Sequence, residues 1–453
     1  MSRRSRRQRL PVEPITLHVT SLSHEGRGVA NRDGKVCFVA GALPGEEVSA
    51  RYVNRRRQFD ELLTEEVLQA SAERVTPPCV FAGQCGGCSL QHLETGAQLA
   101  FKESVLLEHL SHHAGLEADA FELLPRLSGA TEHYRRKARL AVRVVAKKGG
   151  ALVGFRKKHS SFITDMDSCR VLVAEASDLI APLRELIDAL AASRDIPQIE
   201  VAAGERDADS DALQLALIVR HLVPLLPEDI ALLEEFAAQW QVDLYLQPGG
   251  VDSVHKLYPA HTEPRLQYFL PEHDLRLRFH PMDFTQINGL INRRIIDQAL
   301  GQLALNDTDR VLDLFCGLGN FTLPAARQAA RVVGVEGSAE MVARGRENAQ
   351  LNGLDNIDFH AADLTRPIND QSWAQQPFDK VILDPPRSGA LEIIEQIADL
   401  NPARIVYVSC NPVTLARDAS RLLARGYKLK SAGVMDMFPH TAHVESMAAF
   451  ERA

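Results

Sequence analysis

The spacing of apolar positions divides the chain into three segments. From residue 12 to 70, short apolar runs alternate with Gly, Asn, Asp and Pro turns about every 8–12 residues, which is typical of a small antiparallel β-barrel. Residues 80–280 mix both periodicities, with strands predicted at Ala138–Val145 and Leu213–Val219 and a helix at Glu175–Ala192. From about residue 285, apolar strands alternate with helical stretches, which predicts a parallel doubly wound sheet. We therefore expect domains at 1–74, 75–280 and 281–453.

The composition is that of a globular protein, and it predicts no membrane-spanning segment. Hydrophobic residues make up 45% of the 453 residues and charged residues 24%, and no run approaches the ~18 apolar residues of a membrane span. Seven cysteines, an odd number in a long chain, favour a reducing compartment, so we expect a cytoplasmic protein. The five arginines within residues 1–10 lack a following apolar segment. We expect an RNA-contacting tail there, with a transit peptide as the alternative.

Positive charge is concentrated although the net charge is −8. Residues 131–158 hold ten Lys and Arg against one acid, and Arg51 and Arg55–Arg57 form a further group. Tyr52 and Tyr134 stand among these charges. Basic stripes interleaved with aromatic residues suit phosphate neutralisation and base stacking, so the pattern favours a nucleic-acid partner over a merely solvated face.

The last segment carries the pattern of a cofactor site. Gly317 and Gly319 follow an apolar strand, but Thr322 replaces the third glycine of a dinucleotide-binding loop, which disfavours a pyrophosphate ligand. Acidic residues end four consecutive predicted strands, where ribose hydroxyls and amino groups can be bound. A glycine loop followed by such acids fits S-adenosylmethionine, and the acids are Asp313, Glu336, Asp363 and Asp384.

Two further residues indicate the reaction. Cys410 follows the fifth predicted strand, past its apolar run, and is a candidate nucleophile rather than a buried core thiol. Carbon 5 of uracil needs such a thiolate at carbon 6 before it can accept a methyl group, and a base must later remove the carbon-5 proton. Glu445, in the last predicted strand, is our candidate base, with His443 as the rival. A metal site at His440 and His443 lacks a third ligand.

These motifs resemble two known families. Glu25-Gly-Arg-Gly-Val-Ala and Ala42-Leu-Pro-Gly-Glu resemble the TRAM domain, an OB-like RNA-binding module. Asp384-Pro-Pro-Arg, Ser409-Cys410-Asn-Pro and His440-x-x-His-Val-Glu445 resemble the RNA (uracil-5-)methyltransferase family over essentially the whole chain. The resemblance implies a class I (Rossmann-like) α/β methyltransferase fold, Cys410 as nucleophile and Glu445 as base. It also implies that the cofactor is held by Gln286, Phe315, Asn320, Glu336 and Asp363, with Asp384 contacting cofactor or uracil.

Four other cysteines predict an inorganic centre. Cys79, Cys85 and Cys88 lie in a compact glycine-rich run, and Cys169 is the plausible fourth ligand of a [4Fe–4S] cluster, with zinc as the alternative. Cys37 and Cys316 are expected in the core. The ribosomal-RNA branch of the family carries such a cluster, so the resemblance implies a mixed α+β central iron–sulfur domain.

The resemblance therefore implies methylation of carbon 5 of a uridine in 23S ribosomal RNA. The branch that methylates transfer RNA is one alternative, and a non-catalytic RNA-binding or ribosome-assembly factor on the same fold is another. A factor that only binds RNA has no need of Cys410 and Glu445. No membrane association and no obligatory protein partner are expected.

Overall fold

The computed structural model describes residues 10–210 and 212–453. The arginine-rich residues 1–9, where we predict an RNA-contacting tail, lie outside the described residues. The chain forms two compact units. The first contains the described residues up to Gly83 together with Gly87–Val105 and Phe438–His443, and the second contains Gln84–Gly86, Leu106–Met437 and Val444–Ala453. A short loop from the carboxyl-terminal part of the chain thus belongs to the amino-terminal unit.

The first unit is built on a six-stranded sheet with strand order β1-β5-β6-β4-β3-β2. Neighbouring strands are antiparallel except for the parallel pair β4–β6. Alternate side chains, among them Cys37, Val39 and Val48, point into one apolar core. The strands are β1 (Ile15–His18), β2 (Ser21–Leu22), β3 (Gly28–Arg32), β4 (Lys35–Ala40), β5 (Glu47–Arg55) and β6 (Phe59–Gln69).

The turn before β5 is held by a buried carboxylate. Glu46 is fully buried, and its carboxylate accepts hydrogen bonds from the Leu43 N–H at 2.8 Å and from the Arg74 guanidinium at 2.5 and 2.7 Å. Burial by itself raises the pKa of Glu46, but the hydrogen bonds from Arg74 and the backbone lower it below its usual value. Residues 43–46 therefore form a turn, and β5 begins at Glu47.

The central part of the second unit contains a six-stranded sheet with order β13-β12-β11-β10-β8-β9 and the hairpin β14–β15. Helix α1 (Thr95–Ala114) begins in the first unit and leads into this part. The elements after it are β7 (Glu122–Leu123), β8 (Lys137–Val145), β9 (Gly150–Gly154), α2 (Ala174–Asp178), α3 (Ile180–Ala189), β10 (Gln198–Glu205), β11 (Leu213–Arg220), α4 (Pro227–Trp240), β12 (Asp243–Gln247), β13 (His255–Tyr258), β14 (Leu266–Leu270) and β15 (Leu275–Phe279).

The strands predicted at Ala138–Val145 and Leu213–Val219 are confirmed by β8 and β11, and the helix predicted at Glu175–Ala192 is present as the two segments α2 and α3, which are separated at Leu179. Helix α3 starts just before Pro182, whose ring nitrogen has no hydrogen to continue the bonding of α2. The helix then ends at Ala189, because the Asp229 carboxylate accepts the N–H groups of the following residues at 2.7 and 3.2 Å.

The carboxyl-terminal part of the second unit is an eight-stranded sheet with order β18-β17-β16-β19-β20-β22-β21-β7. The first five strands are parallel, as predicted, and β22 runs antiparallel to both of its neighbours. The elements are α5 (Gly289–Leu303), β16 (Arg310–Leu314), α6 (Thr322–Ala326), β17 (Arg331–Glu336), α7 (Ala339–Leu351), β18 (Ile357–Ala361), β19 (Lys380–Leu383), α8 (Ile394–Asp399), β20 (Arg404–Ser409), α9 (Pro412–Ala424), β21 (Tyr427–Met435) and β22 (Glu445–Arg452). No helix in the described ranges is long and apolar enough to cross a membrane.

Candidate active site

The parallel strands bring several of the predicted residues to one edge of the sheet. Asp313 lies near the carboxyl end of β16, Glu336 ends β17, and Asp384 and Cys410 directly follow β19 and β20. Parallel strands end at the same edge, so these side chains converge. Asp363 differs, because it lies on an exposed turn after β18, where it accepts hydrogen bonds from Thr365 and pairs with Arg366 at 3.0 Å.

Asp313 is a completely buried carboxyl group. One oxygen, Oδ2, accepts a hydrogen bond from the Thr322 hydroxyl at 2.5 Å, whereas Oδ1 has no hydrogen-bond partner among the described residues. Burial is the main reason that its pKa is raised to about 7; the nearby carboxylates of Asp384 and Glu336 act in the same direction, and the Thr322 hydrogen bond opposes them. A buried, unsatisfied acceptor beside two other carboxyl groups suits a cationic ligand.

The loop after β16 has the backbone conformation that its glycines allow. Gly319 has a φ of +101°, and a Cβ there would lie 2.2 Å from the Leu323 side chain, so only glycine fits. The Glu336 carboxylate holds the far side of the loop by accepting the Gly317 N–H at 3.2 Å and the Ser338 N–H at 2.9 Å. The loop and the next strand are thereby fixed together around the same edge.

Asn320 is positioned by two residues that the sequence did not indicate. Its side-chain amide exchanges hydrogen bonds with that of Asn292 at 2.9 and 3.0 Å, and it accepts one from the Tyr268 hydroxyl at 2.9 Å. Asn292 is 5% exposed on the inner face of α5. The sequence does offer one signal for this contact: Asn292 is a polar residue at a buried position of a helix, and a buried polar group needs a hydrogen-bond partner.

Gln286 lines a small cavity close to this amide pair. Asn292 and Arg136 line it as well, together with Glu205 and Arg293. The Glu205 carboxylate, 5% exposed, accepts hydrogen bonds from Arg136 at 2.5 Å and from Arg293 at 2.8 and 2.9 Å. The cavity wall is thus a buried ion triad, and its basic members are already paired.

The basic run at residues 131–158 therefore has two parts. Its first part faces inward: besides Arg136, the Lys137 ammonium donates to the Asp283 carbonyl at 2.5 Å, and burial lowers the pKa of Lys137. These two basic side chains of the run therefore meet acceptors within the protein. Arg143 and Lys147 are exposed, and so is Arg55 of the first unit, which lies over the Tyr52 ring at 5.3 Å. Exposed basic residues such as these remain available to phosphates.

Cys410 and Glu445 lie next to each other at the site edge. Ser409 pairs with Ser446 in the β20–β22 ladder, so Cys410 and Glu445 follow at the adjoining position. Glu445 is 7% exposed and Cys410 is half-buried. Burial raises the pKa of Cys410 to about 11, and the carboxylates of Glu445 and Asp384 add to this. The thiol is therefore protonated in the free protein at neutral pH.

The loop after β19 is clamped onto α9. The Asn411 amide, which also caps α9, donates to the Arg387 carbonyl at 2.9 Å. The buried Asp418 carboxylate accepts the Ala390 N–H at 2.8 Å and the Tyr407 hydroxyl at 2.7 Å. The Asp-Pro-Pro-Arg loop is thus held at Arg387 and just beyond it, and the Asp384 N–H donates to the Leu314 carbonyl at 3.4 Å, which keeps Asp384 at the sheet edge near Cys410.

The two histidines before β22 have different environments. His440 is 5% exposed, and its backbone N–H donates to Gln98 at 2.9 Å, whereas His443 is exposed. Both belong to the first unit. Over residues 10–210 and 212–453 the structure contains no group of three or more His, Cys, Asp or Glu side chains arranged to hold a metal ion.

The four predicted cluster ligands are distributed over both units. Cys79 and Cys88 belong to the first unit and Cys85 and Cys169 to the second. Cys85, Cys88 and Cys169 are buried, and Cys79 is partly exposed. Cys37 and Cys316 are buried core residues, as expected.

Comparisons with sequence families match both ends of the chain. Residues 8–56 match the TRAM domain, and residues 268–453 match the family described as tRNA (Uracil-5-)-methyltransferase. The first match confirms the predicted RNA-binding module. The second covers α5 to β22 and therefore every strand end described above.

Full-length relatives have the same extent as this chain. A protein of Hahella chejuensis named 23S rRNA (uracil(1939)-C(5))-methyltransferase RlmD is 53% identical and covers 100% of both chains. Proteins of the same name from Alkalilimnicola ehrlichii and Alcanivorax borkumensis are 52% and 50% identical, each over 99% of this chain and 98% of their own.

A solved structure shows the same fold. The Pyrococcus abyssi tRNA (uracil-54, C5)-methyltransferase, crystallised with S-adenosyl-L-homocysteine, matches with a TM-score of 0.72 over 96% of this chain and 100% of its own. At 24% sequence identity the similarity concerns the fold alone.

Proposed function

This chain belongs to the RNA (uracil-5-)methyltransferase family, and we propose that it methylates carbon 5 of one uridine in 23S ribosomal RNA, using S-adenosylmethionine. The curated relatives that match its full length are named for this reaction at uracil 1939. We take the equivalent uridine as the target. Acting on ribosomal RNA, the enzyme is expected to work in the cytoplasm.

The residues at the sheet edge fit S-adenosylmethionine. When bound, it supplies a methyl group on a positively charged sulfur. Asp313, Glu336 and Asp384 place three carboxyl groups around the glycine loop, and Asp313 has a buried oxygen without a partner. Their mutual repulsion is relieved by a cation. We propose that Glu336 and Asp363 contact the nucleoside, with Gln286, Phe315 and Asn320 completing the site.

In the proposed reaction Cys410 starts the chemistry. The thiol first releases its proton to solvent, and the thiolate then adds to carbon 6 of the uracil, forming a carbon–sulfur bond and placing the displaced electron pair on an enolate that includes carbon 5. The electron pair at carbon 5 then forms a bond to the methyl carbon of S-adenosylmethionine, while the methyl–sulfur bond breaks with its electrons staying on sulfur, so that S-adenosylhomocysteine is the leaving group. Asp384, fixed beside Cys410 by the clamped loop, holds the uracil or the cofactor in line for this transfer.

Glu445 completes the cycle in this proposal. Its carboxylate removes the proton from carbon 5, the electron pair of that bond re-forms the double bond between carbons 5 and 6, and the Cys410 thiolate leaves carbon 6. The burial of Glu445 next to Cys410 supports its role as the base. The exposed His443 remains the rival.

The proposal rests chiefly on one observation. Cys410 and Glu445 lie side by side at the edge of the sheet that also bears the carboxyl groups proposed to bind the cofactor. The test is methyl transfer from labelled S-adenosylmethionine to unmodified 23S ribosomal RNA, with transfer RNA as a second substrate. We expect Cys410→Ala to abolish transfer and Cys37→Ala, a core thiol outside the site, to retain it. Full activity of Cys410→Ala contradicts the mechanism, and RNA binding without transfer by the unaltered protein favours a binding factor.

A second measurement identifies the nucleophile and the target. RNA containing 5-fluorouridine should trap a covalent adduct on Cys410, because fluorine at carbon 5 cannot leave as a proton does. Mapping the trapped nucleotide tests whether it is the equivalent of uracil 1939. An adduct on another cysteine, or at another position, refutes the corresponding part of the proposal.

We further propose that Cys79, Cys85, Cys88 and Cys169 bind a [4Fe–4S] cluster. The spacing of the first three in a glycine-rich run and the burial of three of the four thiols support this. No step of the reaction involves the cluster. Anaerobically purified protein should contain iron and acid-labile sulfide, which Cys85→Ser should lose and Cys37→Ser should keep. Zinc without iron would overturn the assignment.

A further inference from the structure

We propose that Gln98 and Lys102 are positioning residues for proton removal, acting through the loop Phe438–His443. This inference rests on the proposed role of Glu445 as the base. The loop belongs to the same compact unit as both residues. It ends two positions before Glu445, which is the first residue of β22.

The two side chains reach the loop from one face of α1. The Gln98 amide, 1% exposed, accepts the His440 N–H at 2.9 Å and donates to the Leu93 carbonyl at 2.8 Å, so that its orientation is fixed at both ends. One turn later, the Lys102 ammonium donates to the Phe438 carbonyl at 3.0 Å. The helix thus holds the loop by its backbone, at its beginning and at its middle.

A lysine in this place is unexpected on grounds of stability. Lys102 has no exposed surface, and a lysine is almost never fully buried. A methionine of similar length would pack against the same neighbours without the cost of removing an ammonium group from water. The Phe438 carbonyl is one acceptor of this buried ammonium group, and that contact ties the lysine to the loop.

The loop conformation itself needs such support. His440 has a φ of +65°, in the left-handed region that side chains other than glycine rarely adopt. Its carbonyl accepts two further hydrogen bonds, from the N–H groups of Ser89 at 3.0 Å and Leu90 at 2.9 Å. The Ser89 hydroxyl also accepts the Ala442 N–H at 3.1 Å. The hydrogen bonds from the surrounding residues therefore keep the backbone of His440 in a strained conformation.

The covalent chain carries this constraint to the base. Any shift of the loop is passed through one intervening residue to Glu445, whereas Cys410 lies on a different strand end. A displacement of a catalytic group by about 1 Å can slow a step by about 100-fold. Loss of the loop contacts should therefore slow proton removal selectively and leave the attack of Cys410 on the uracil largely unchanged.

The experiment compares these two steps in the full-length protein. Variants Gln98→Ala and Lys102→Met are matched with Ser104→Ala, a change at an exposed residue of the same helix. Adduct formation is measured with 5-fluorouridine RNA, which stops before proton removal. Release is measured with ordinary RNA in a single turnover, by following the covalent protein–RNA species on denaturing gels. Lys102→Arg, which keeps a donor, serves as the conservative variant.

We expect about tenfold or slower release for Gln98→Ala and Lys102→Met, with adduct formation within about threefold of the unaltered protein, and partial recovery in Lys102→Arg. Equal slowing of both steps, or of neither, overturns the inference. If Lys102→Met does not fold, Gln98→Ala and Ser89→Ala decide the question. Glu445→Gln separates the two proposals: if it releases RNA normally, Glu445 is not the base, whereas if it alone accumulates the adduct, only the positioning role fails.

Discussion

In the free protein, Cys410 should react with iodoacetamide far more slowly than an ordinary thiol. Its pKa lies at about 11 instead of 9.0, two units higher, so the thiolate is about 100-fold less populated at neutral pH. At pH 7.5 roughly 0.03% of the group is ionised, against roughly 3% for the ordinary thiol. Because the thiolate is the reactive form, alkylation should rise about tenfold per pH unit up to about pH 11.

The neighbouring carboxylates account for part of this shift. Glu445→Gln removes one negative charge from beside Cys410, so the pKa should fall and alkylation at pH 7.5 should speed up several-fold. Burial is the largest cause and stays in place, so the full 100-fold is not expected. Glu451→Gln, which removes the same charge from the same strand where it pairs with Lys430, is the matched control and should change nothing.

The cofactor offers a second control. S-adenosylmethionine carries a positive sulfur and should lower the pKa of Cys410, whereas neutral S-adenosylhomocysteine should not. Mass spectrometry of the Cys410 peptide gives the rates, and Cys410→Ser confirms the peptide assignment. An alkylation midpoint at or below pH 9, unchanged by Glu445→Gln, would refute the electrostatic reasoning.

Three further predictions concern stability. Because the pKa of Asp313 is raised from 3.8 to about 7, its protonated form is favoured on folding, so the unfolding free energy should fall between these pH values and then level off. The free energy of unfolding of Asp313→Asn, measured in urea, should exceed that of the unaltered protein by up to about 4 kcal/mol at pH 8 and by little at pH 4. Parallel pH profiles of the two proteins would contradict this. Glu46→Gln should cost about 2–3 kcal/mol at pH 7, because it leaves its arginine partner without a counter-charge. Since the pKa of Glu46 is lowered, that loss should vanish as the pH falls through the pKa of the folded state, and a loss independent of pH would contradict it. Gly26→Ala should destabilise the first unit by about 1–3 kcal/mol in thermal unfolding, since φ is +73° and the new Cβ would lie 2.9 Å from Leu90; Gly34→Ala, at φ +79° in open space, should cost less.

Much of the site edge could be predicted from sequence because parallel strands impose it. Apolar runs mark the buried strands, and the first polar residue after each run lies at the common edge, which places Glu336, Asp384 and Cys410 together. Asp363 shows the limit of this rule. It is the second residue after its strand, and a turn carries it to the surface.

Contacts between distant segments could not be predicted in this way. Asn320 is held by Tyr268, 52 residues earlier, and nothing local to either residue specifies that pair. The inward direction of Arg136 depends on the acceptor Glu205, 69 residues later. A charge run indicates how many basic residues are present but not which of them meet a buried carboxylate.

The two-residue strand β7 has a consequence for any fragment of this protein. It pairs with Ser431 and Ala432 of β21, and Leu127 continues along the same strand by donating its N–H to the Val434 carbonyl at 3.1 Å. Residues 122–127 therefore cover the outer edge of β21, the last long strand of the sheet. A fragment that begins at residue 281 leaves that edge open, and an open edge strand is a template for pairing with a second chain. The segment around β7 thus protects the catalytic sheet from self-association, although it lies more than 150 residues before the catalytic sequence begins.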